Sequence, residues 1–553
     1  MGSLAAEPQS MAAAAVDVAE IRTTISDATA AAAAQTTALE AAGADQVSVA
    51  ATAVFNAYAR AYQALAHQAA TFHSEFAQAL GAAANAYAEA EAAAAALTSG
   101  MSGTAPAYAT TSMAQAATPQ NVTLIMGGTG NPTPGASFIT SVFTKYVAPD
   151  FAGFSLADAQ ALFTPEDLYP FTGVKTLPLN QSINQGVANL NYAVLQQISA
   201  GNNVVVVGYS QSAVISSLEM QALVAMPNPP SPSQLSFVLL GDPMNPNGGM
   251  MERFVGLKLA SLGVDFYGAT PTNTPYPTHI YTIEYDGFAD FPRYPLDVLA
   301  DLNALAGIPA AHAQYQYVPV GSVATAITLP TDPAYGTATT YTLIPTTNLP
   351  LLDPVRAIPV IGNPIADLLQ PDLTYLVNWG YGDPAYGYST GPANVPTPFG
   401  LFPPLSATIA LGGDLVTGTQ QGIAACVRDI GATSLPTLPD IAHALTSTPA
   451  LTVHVPSGPS LFSALTQATS AGYATLLPTA DITAALVTSV PVYDAGLVFG
   501  GVAQALGGDP VGLLNAIGNP IAADAALLTL AGWLETVAIA NSAQSIAVVL
   551  AQL

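Results

Sequence analysis

Four apolar segments, separated by helix-like stretches, constrain the fold of this chain more than any other feature. They read NVTLIMGG at 121–128, NNVVVVG at 202–208, SQLSFVLLGDP at 233–243 and HIYTIEYD at 279–286. Continuous apolar strands are typical of sheets buried on both faces, and strands that alternate with helices usually pair in parallel. The sequence therefore predicts an α/β fold with a mostly parallel sheet covered by helices.

The regions on either side of this sheet differ from it in composition. Residues 1–97 are rich in alanine, and an apolar stripe at helical spacing follows the expected helix end at Gly43, which predicts an antiparallel helical hairpin. Residues 98–119 have the Ser, Thr, Gly and Pro content of a linker. We expect the sheet domain to occupy 120–400 and an α-rich region to occupy 401–553.

Charge and cysteine content exclude several classes of function. The chain has nine basic and 35 acidic residues among 553, for a net charge of −26. This charge argues against binding to nucleic acid or to anionic lipid, since both need Lys or Arg. One cysteine and no Cys/His cluster predict no disulfide, no metal site and no cofactor. Polar residues interrupt even the apolar tail at 535–553, so we expect no transmembrane span.

A short motif after the second apolar segment carries the chemistry. The sequence Gly208-Tyr209-Ser210-Gln211-Ser212 follows four valines and precedes a helical pattern. A serine on a tight strand-to-helix turn is the nucleophile arrangement of many hydrolases, with small residues on either side. Its hydroxyl needs a base to accept its proton and an acid to orient that base. We therefore interpret Ser210 as a candidate nucleophile.

Four histidines downstream of Ser210 are candidates for the base. His279 begins an apolar strand, which is the wrong end of a parallel sheet for catalysis. His443 and His454 lie in the motif-poor C-terminal region. His312 follows a helical pattern and lies in a loop after the last predicted strand, so we expect it to be the base.

The orienting acid is open among three aspartates. Asp290 lies a few residues beyond the strand of 279–286 and is the preferred candidate. Asp286, at the end of that strand, is the alternative. Asp242 follows the preceding strand and fits a turn-capping role better. The order Ser, Asp, His along the chain is that of α/β-hydrolases.

Two backbone N–H groups are candidates for stabilising an oxyanion. One is that of Gln211, directly after the candidate nucleophile. The other is that of Thr129 in the glycine-rich sequence 127–132, which follows the first apolar segment. A phosphate-binding loop is the competing interpretation of these glycines, but neither P-loop nor GxGxxG spacing is present.

The N-terminal 90 residues resemble the PE domain of mycobacterial PE proteins. The resemblance rests on AAAAVDVAEI, TTALEAAGADQVS and AYQALAHQAATFHSEFAQAL, with Glu7-Pro8-Gln9 where the family has Pro-Glu. Tyr87 and Glu91 match the Tyr-x-x-x-Asp/Glu export signal of that family. The resemblance implies type VII secretion to the cell envelope and pairing with a PPE-family partner.

The following region resembles the PE-PPE domain, a serine-hydrolase module related to cutinases. The residues that carry the resemblance are GGTGNP, GYSQSA, LLGDP, YDGFADFP, NALAG with His312, and GPANVPTPFGLFPP. It implies Ser210 as nucleophile, an aspartate of 285–292 as orienting acid and His312 as base.

These features together predict a secreted serine esterase or lipase. Few basic residues lie near the motifs, so a fatty-acyl ester fits better than a phosphorylated substrate. The apolar insertion at 244–278 is either a lid or acyl-binding wall, or a segment packed on the core. One alternative function is an acyltransferase that passes the acyl chain to a sugar such as trehalose. Another is a surface interaction protein without enzymatic activity.

Overall fold

The structure is a computed structural model that describes residues 119–173, 176–432 and 476–551, with a few isolated positions before residue 57. The chain divides into two compact units, Met1–Gln115 and Ala116–Leu553. In the first unit, the Asn56 side chain accepts from the N–H of Leu39 at 2.9 Å and donates to its carbonyl at 3.1 Å. Most of the predicted hairpin and linker, with Tyr87 and Glu91, lies outside the described residues.

A seven-stranded sheet forms the centre of the second unit. The strands of the chain are β1 (Asn121–Ile125), β2 (Ala159–Ala161), β3 (Asn203–Tyr209), β4 (Leu235–Leu240), β5 (Lys258–Leu259), β6 (Val264–Asp265), β7 (Thr278–Ile283), β8 (Ile327–Thr328) and β9 (Thr339–Ile344). The order in the sheet is β2-β1-β3-β4-β7-β9-β8; all neighbours pair in parallel except β8, which is antiparallel to β9 at the edge. A separate antiparallel pair is formed by β5 and β6.

Helices connect these strands and continue to the C-terminus. They are α1 (Ala136–Val142), α2 (Leu179–Ser199), α3 (Gln211–Val224), α4 (Met250–Arg253), α5 (Val298–Ala310), α6 (Val320–Ala324), α7 (Asp353–Arg356), α8 (Gly362–Trp379), α9 (Leu405–Ala432), α10 (476–488), α11 (Val490–Leu506) and α12 (Val511–Ala551). Single helical turns occur at Leu156–Asp158, His312–Gln314, Pro333–Tyr335 and Pro350–Leu352. The predicted α/β class, with an α-rich C-terminal region, is confirmed.

Two hydrophobic cores lie on opposite faces of the sheet. On β3, Val204 and Val206 belong to one core, whereas Val205 and Val207 belong to the other. Successive side chains of a strand point to opposite faces, so a run of four valines supplies both cores at once. The core on the Val204 side is the larger and includes side chains of α2, α3 and the C-terminal helices.

The insertion at 244–278 is packed on the larger core. Met244, Phe254 and Leu257 are fully buried there, and the segment forms α4 and the β5–β6 pair. Val255 is one of its few exposed apolar side chains. Of the two interpretations of this insertion, the structure therefore favours the packed segment over the lid.

The C-terminal helices are more apolar than the sequence analysis anticipated. Two described stretches, Leu476–Leu506 and Val511–Ala540, have the length and composition needed to cross a membrane. Their polar residues are few among Ala, Leu and Val, so the mean hydropathy of both stretches stays high. Two long apolar helices are therefore present among the described residues, and the absence of a transmembrane span stays a prediction.

Candidate active site

Ser210 lies between the end of β3 and the start of α3, in a backbone conformation that serine seldom adopts. Its φ of 58° and ψ of −117° reverse the chain in a single residue. The Ser210 N–H donates to the carbonyl of Leu240 at 2.9 Å, and its carbonyl accepts from Ala213 at 2.9 Å. The fold thus uses the backbone groups of Ser210 in both the sheet and the helix, and leaves its hydroxyl free for other partners.

Two small residues make this turn possible. A Cβ on Gly208 would lie 2.5 Å from the carbonyl oxygen of Ser212, because α3 passes directly over the strand. Ser212 stands where many such motifs have glycine, and its hydroxyl accepts from the N–H of Tyr209 at 2.8 Å and donates to the carbonyl of Gly127 at 2.5 Å. Its side chain therefore ties the turn to the loop after β1.

The side chains of Ser210, His312 and Asp286 form a continuous hydrogen-bonded chain. His312 Nε2 lies 2.8 Å from Ser210 Oγ, and His312 Nδ1 lies 2.8 Å from each carboxylate oxygen of Asp286. All three side chains are buried. A histidine held in this way presents one ring nitrogen to the hydroxyl while the other donates to the acid.

Asp286 is surrounded by hydrogen-bond donors. Its Oδ1 accepts from the backbone N–H groups of Phe288 at 2.9 Å and Ala289 at 3.1 Å, and its Oδ2 accepts from the Tyr315 hydroxyl at 2.8 Å. Burial raises the pKa of Tyr315 well above its ordinary value, so this hydroxyl remains a donor at any pH near neutrality. Together with His312, four hydrogen-bond partners surround this carboxylate.

Asp290, the preferred acid of the sequence analysis, does not contact His312. Its carboxylate accepts from the N–H of Tyr285 at 3.0 Å, and burial raises its pKa well above the ordinary range. Burial that disfavours the charged form of an aspartate makes it a poorer partner for a charged imidazole. The preference for Asp290 was therefore wrong in geometry, and the alternative, Asp286, is the aspartate at the histidine.

The other aspartate and the other histidines lie apart from this chain of hydrogen bonds. Asp242 accepts from the N–H of Met244 at 2.9 Å and from the Thr270 hydroxyl at 2.5 Å, as a turn-capping residue does. His279 is the second residue of β7, and its Nδ1 lies 3.3 Å from a carboxylate oxygen of Asp150. His443 and His454 lie outside the described residues.

A turn directly after β7 explains why Asp286 reaches the histidine. β7 ends at Ile283, and Tyr285 then adopts a φ of 64°. The N–H of Asp286 donates to the carbonyl of Ile283 at 3.1 Å, which closes a turn at the end of the strand. The chain therefore turns before it reaches Asp290, the preferred acid of the sequence analysis. Gly307 on α5 has no Cβ to clash with the Tyr285 carbonyl, which lets this turn lie against the helix that leads to His312.

The two predicted oxyanion donors lie next to the turn at Ser210. Gln211 is the first residue of α3, where an N–H group has no partner within the helix. Thr129 lies in the loop after β1, and its hydroxyl accepts from the Gln211 side chain at 3.3 Å. Among the hydrogen bonds of the described residues, none uses the backbone N–H of Thr129 or Gln211. Both groups are therefore free to donate to a bound oxygen.

The Gln211 side chain joins this loop to a second segment, 164–168. Its amide donates to the Asp167 carbonyl at 2.9 Å, and its oxygen accepts from the Ser182 hydroxyl at 2.8 Å. The neighbouring Glu166 carbonyl accepts from the N–H of Gly130 at 2.8 Å. The position of the loop after β1 is thus fixed from two sides.

Sequence reasoning missed the supporting residues of the site. The Tyr209 hydroxyl donates to the His312 carbonyl at 2.7 Å, and the two rings stack with centroids 5.5 Å apart. Tyr315 lies three residues after His312, and its hydroxyl also accepts from the N–H of Ile283 at 2.9 Å. Residues three apart lie on the same side of a helical turn, and this spacing from His312 is the sequence signal that could have identified Tyr315. Among the described residues, no group of three or more His, Cys, Asp or Glu side chains converges to hold a metal.

Two family models match this chain, one in each of its two units. The profile described as "PE family" matches residues 4–94, and the profile described as "PE-PPE domain" matches residues 155–382. A cutinase-like protein from Cryptococcus sp. aligns with 31% of this chain and 79% of its own at 16% identity. Its TM-score of 0.22 is too low to support an argument.

Three proteins of Mycobacterium tuberculosis match most of the chain. The uncharacterized PPE family protein PPE28 is 47% identical over 78% of this chain and 67% of its own length. The esterase PE16 is 44% identical over 75% of this chain and 76% of its own. The PE family protein PE3 is 45% identical over 80% of this chain and 91% of its own. The chain therefore belongs to the mycobacterial PE/PPE family, with a PE domain at its N-terminus followed by a PE-PPE domain.

Proposed function

We propose that this protein is a serine esterase or lipase that cleaves acyl esters through Ser210, His312 and Asp286. The observation that carries the proposal is the hydrogen-bonded chain from Ser210 Oγ through both ring nitrogens of His312 to Asp286, with every link at 2.8 Å. The 44% identity to a protein named esterase PE16 is independent support.

In the acylation step, Ser210 Oγ attacks the carbonyl carbon of the ester while its proton passes to His312 Nε2. Asp286 holds His312 Nδ1–H, which fixes the ring and stabilises its positive charge. The N–H groups of Gln211 and Thr129 donate to the oxyanion of the tetrahedral intermediate. Each such donor typically lowers the barrier by about 3 kcal/mol. The alcohol leaves with the proton from His312, and an acyl-serine remains.

In the deacylation step, water takes the place of the alcohol. His312 Nε2 accepts a proton from water as its oxygen attacks the acyl carbon, and a second tetrahedral intermediate forms at the same two N–H groups. Its collapse returns the proton to Ser210 Oγ and releases the carboxylic acid. The burial of Ser210 and His312 limits access to bulk water and strengthens each of these hydrogen bonds.

Two measurements on the purified chain test this proposal. We expect a fluorophosphonate probe to label the protein once, and the Ser210→Ala variant to escape labelling. We also expect hydrolysis of p-nitrophenyl esters across a series of chain lengths, with Ser210→Ala and His312→Ala lowering kcat by at least about a thousandfold. Ser216→Ala, which removes a buried hydroxyl of the same helix outside the hydrogen-bonded chain, is the matched control.

The same assay separates the two alternative functions. With trehalose present, an excess of acylated sugar over free acid would indicate an acyltransferase that uses the same acyl-serine. An unlabelled Ser210, or a Ser210→Ala variant with full esterase activity, would indicate a surface interaction protein without this chemistry.

Export to the cell envelope by type VII secretion, with a PPE-family partner, is part of the same proposal. Its support is the N-terminal match to the PE family and the Tyr87 and Glu91 pair at the spacing of the family's export signal. In a mycobacterial host, we expect Tyr87→Ala to retain the protein inside the cell, while the neighbouring Tyr108→Ala leaves export unchanged.

A further inference from the structure

Two C-terminal helices each present a row of large apolar side chains to the exterior. On each helix these side chains recur every seven residues, which is close to two helical turns and so places them on one face. We call this surface the α11–α12 face; it consists of Val492, Phe499 and Leu506 on α11 with Leu514, Ile521 and Leu528 on α12. Phe499 is 72% exposed and Leu506 is 84% exposed.

The opposite side of these helices is fixed to the hydrolase domain. Tyr493 on α11, with Ala522, Ala526 and Leu530 on α12, is buried in the larger core. The two helices approach each other closely where Gly501 lies against the backbone of Ala516. The exposed side chains therefore belong to helices that also pack on the core of the domain. Their exposure is not explained by helices that fail to pack.

The ordinary explanation for long apolar helices is burial inside a soluble protein, and it fails here. In the most apolar 18-residue part of Leu476–Leu506, only 6% of residues are buried, and in that of Val511–Ala540 only 28% are. A helix pair with one side in a protein core and the other exposed fits a position on a lipid surface rather than across it.

The composition of the face distinguishes lipid from a protein partner. Protein interfaces are enriched in Tyr, Trp, Phe, Met and Arg and carry a polar rim, whereas five of the six side chains in this row are Leu, Ile or Val. A second copy of the chain would bring two molecules of net charge −26 together, which repel each other at long range. Acyl chains of lipids are the occupant that fits.

Charge identifies the class of lipid. Residues 476–553 contain no Lys, Arg or His and five acidic residues, the last of which is Glu535. Anionic lipid surfaces attract basic residues and repel acidic ones. We propose that the α11–α12 face docks the protein onto lipid surfaces without net charge, by inserting its apolar row among their acyl chains.

Helix α12 of this face, together with the preceding helix α10, contacts the segment that supports the loop after β1. Trp533 on α12 stacks on Phe171 with ring centroids 5.6 Å apart, and Tyr169 donates to Asp481 on α10 at 2.6 Å. Both aromatic residues follow the segment whose Asp167 carbonyl accepts from Gln211. Lipid would thus contact a helix pair that packs against residues near Ser210. Docking itself does not require Ser210 to be catalytic.

Flotation of the full chain with vesicles tests the proposal. The chain carries Ser210→Ala so that no lipid is cleaved, and it is mixed with phosphatidylcholine vesicles or with vesicles in which about one third of the lipid is phosphatidylglycerol. We expect the protein to float with phosphatidylcholine vesicles and to bind less as phosphatidylglycerol is added. The double variant Phe499→Ser, Leu514→Ser should bind at least about tenfold more weakly, because it removes two inserted side chains.

The matched control is Tyr192→Ser, Phe163→Ser, which removes two exposed aromatic side chains from another surface; Tyr192 is 70% exposed. This control should bind as the parent does, and both variants should keep the parent's thermal unfolding midpoint. The proposal is overturned if the parent does not float, if the two double variants bind equally, or if phosphatidylglycerol strengthens binding. It is also overturned if light scattering without lipid reveals a dimer that only the α11–α12 variant dissociates.

Discussion

Asp286 and Asp290 lie four residues apart and are both buried, yet their surroundings give them opposite properties. Asp286 accepts from two backbone N–H groups, a tyrosine hydroxyl and His312. Asp290 accepts from one backbone N–H group, and its burial is not compensated, so its pKa is raised. Donors therefore surround both oxygens of Asp286, whereas burial disfavours the charged form of Asp290.

Exchange of each aspartate for asparagine distinguishes their roles. We expect Asp286→Asn to lower kcat by about a thousandfold or more with little change in KM, since the ring of His312 loses its charged partner. Asp290→Asn should retain most of the activity, because an amide resembles the protonated acid that burial favours. Ester hydrolysis at neutral pH measures both. Equal losses in the two variants would contradict the assignment of Asp286 as the orienting acid.

Glu166 gives the stability of the fold a dependence on pH. Burial raises its pKa to about 8 from an ordinary value of 4.5, although the Thr164 hydroxyl donates to one of its oxygens. Between these two pH values the folded protein holds a proton that the unfolded chain has released. Stability therefore falls as pH rises through this window, by about 1.4 kcal/mol per pH unit for one such group, and levels off above it.

The Glu166→Gln variant isolates this contribution. Glutamine keeps an acceptor for Thr164 but cannot ionise. Between about pH 5 and 8, the free energy of unfolding of the variant should therefore fall less steeply than that of the parent, by roughly 1 kcal/mol per pH unit. Urea unfolding at several pH values measures the difference. Other carboxyls with raised pKa, such as Glu219, are present in both chains and cancel. Parallel pH profiles would show that Glu166 is ionised in the folded protein.

The strand–turn–helix unit from β3 to α3 depends on the contact of the helix with the strand at Gly208. Gly208→Ala places a methyl group against the Ser212 carbonyl and the Ser216 hydroxyl, so α3 must shift. We expect a loss of about 1–3 kcal/mol in stability and a lower kcat, because Ser210 and Gln211 move with the helix. Gly135→Ala is the control, since nothing lies within 4 Å of its Cβ position. Denaturant unfolding that is equal for the two variants would contradict this close contact.

Four of the five longer strands of the sheet were predicted from sequence, whereas β9 (Thr339–Ile344) and the short edge strands were not. β1, β3, β4 and β7 are the four segments that the sequence analysis identified. β2 has three residues and β8 has two, which is too short for a periodic pattern. The choice between two aspartates failed because it depends on the left-handed backbone of Tyr285, and a tyrosine gives no signal for that conformation.

The division into two units predicts that the hydrolase part folds without the N-terminal part. A chain that begins at Ala116 retains every residue of the candidate active site and the sheet. We expect it to hydrolyse p-nitrophenyl esters within about twofold of the full chain, since a unit with its own core folds alone. The measurement is kcat/KM alongside the circular dichroism spectrum. A folded but inactive product would mean that the first unit contributes to the site.

The left-handed backbone at Ser210 has a consequence for anyone who engineers this protein. A side chain in that conformation costs about 1–2 kcal/mol relative to glycine. A selection for thermal resistance alone would therefore favour Ser210→Gly. This substitution removes the proposed nucleophile, so the selection would enrich stable proteins that lack the proposed activity. Directed evolution of this enzyme needs survival on heating and turnover to be scored together in every round.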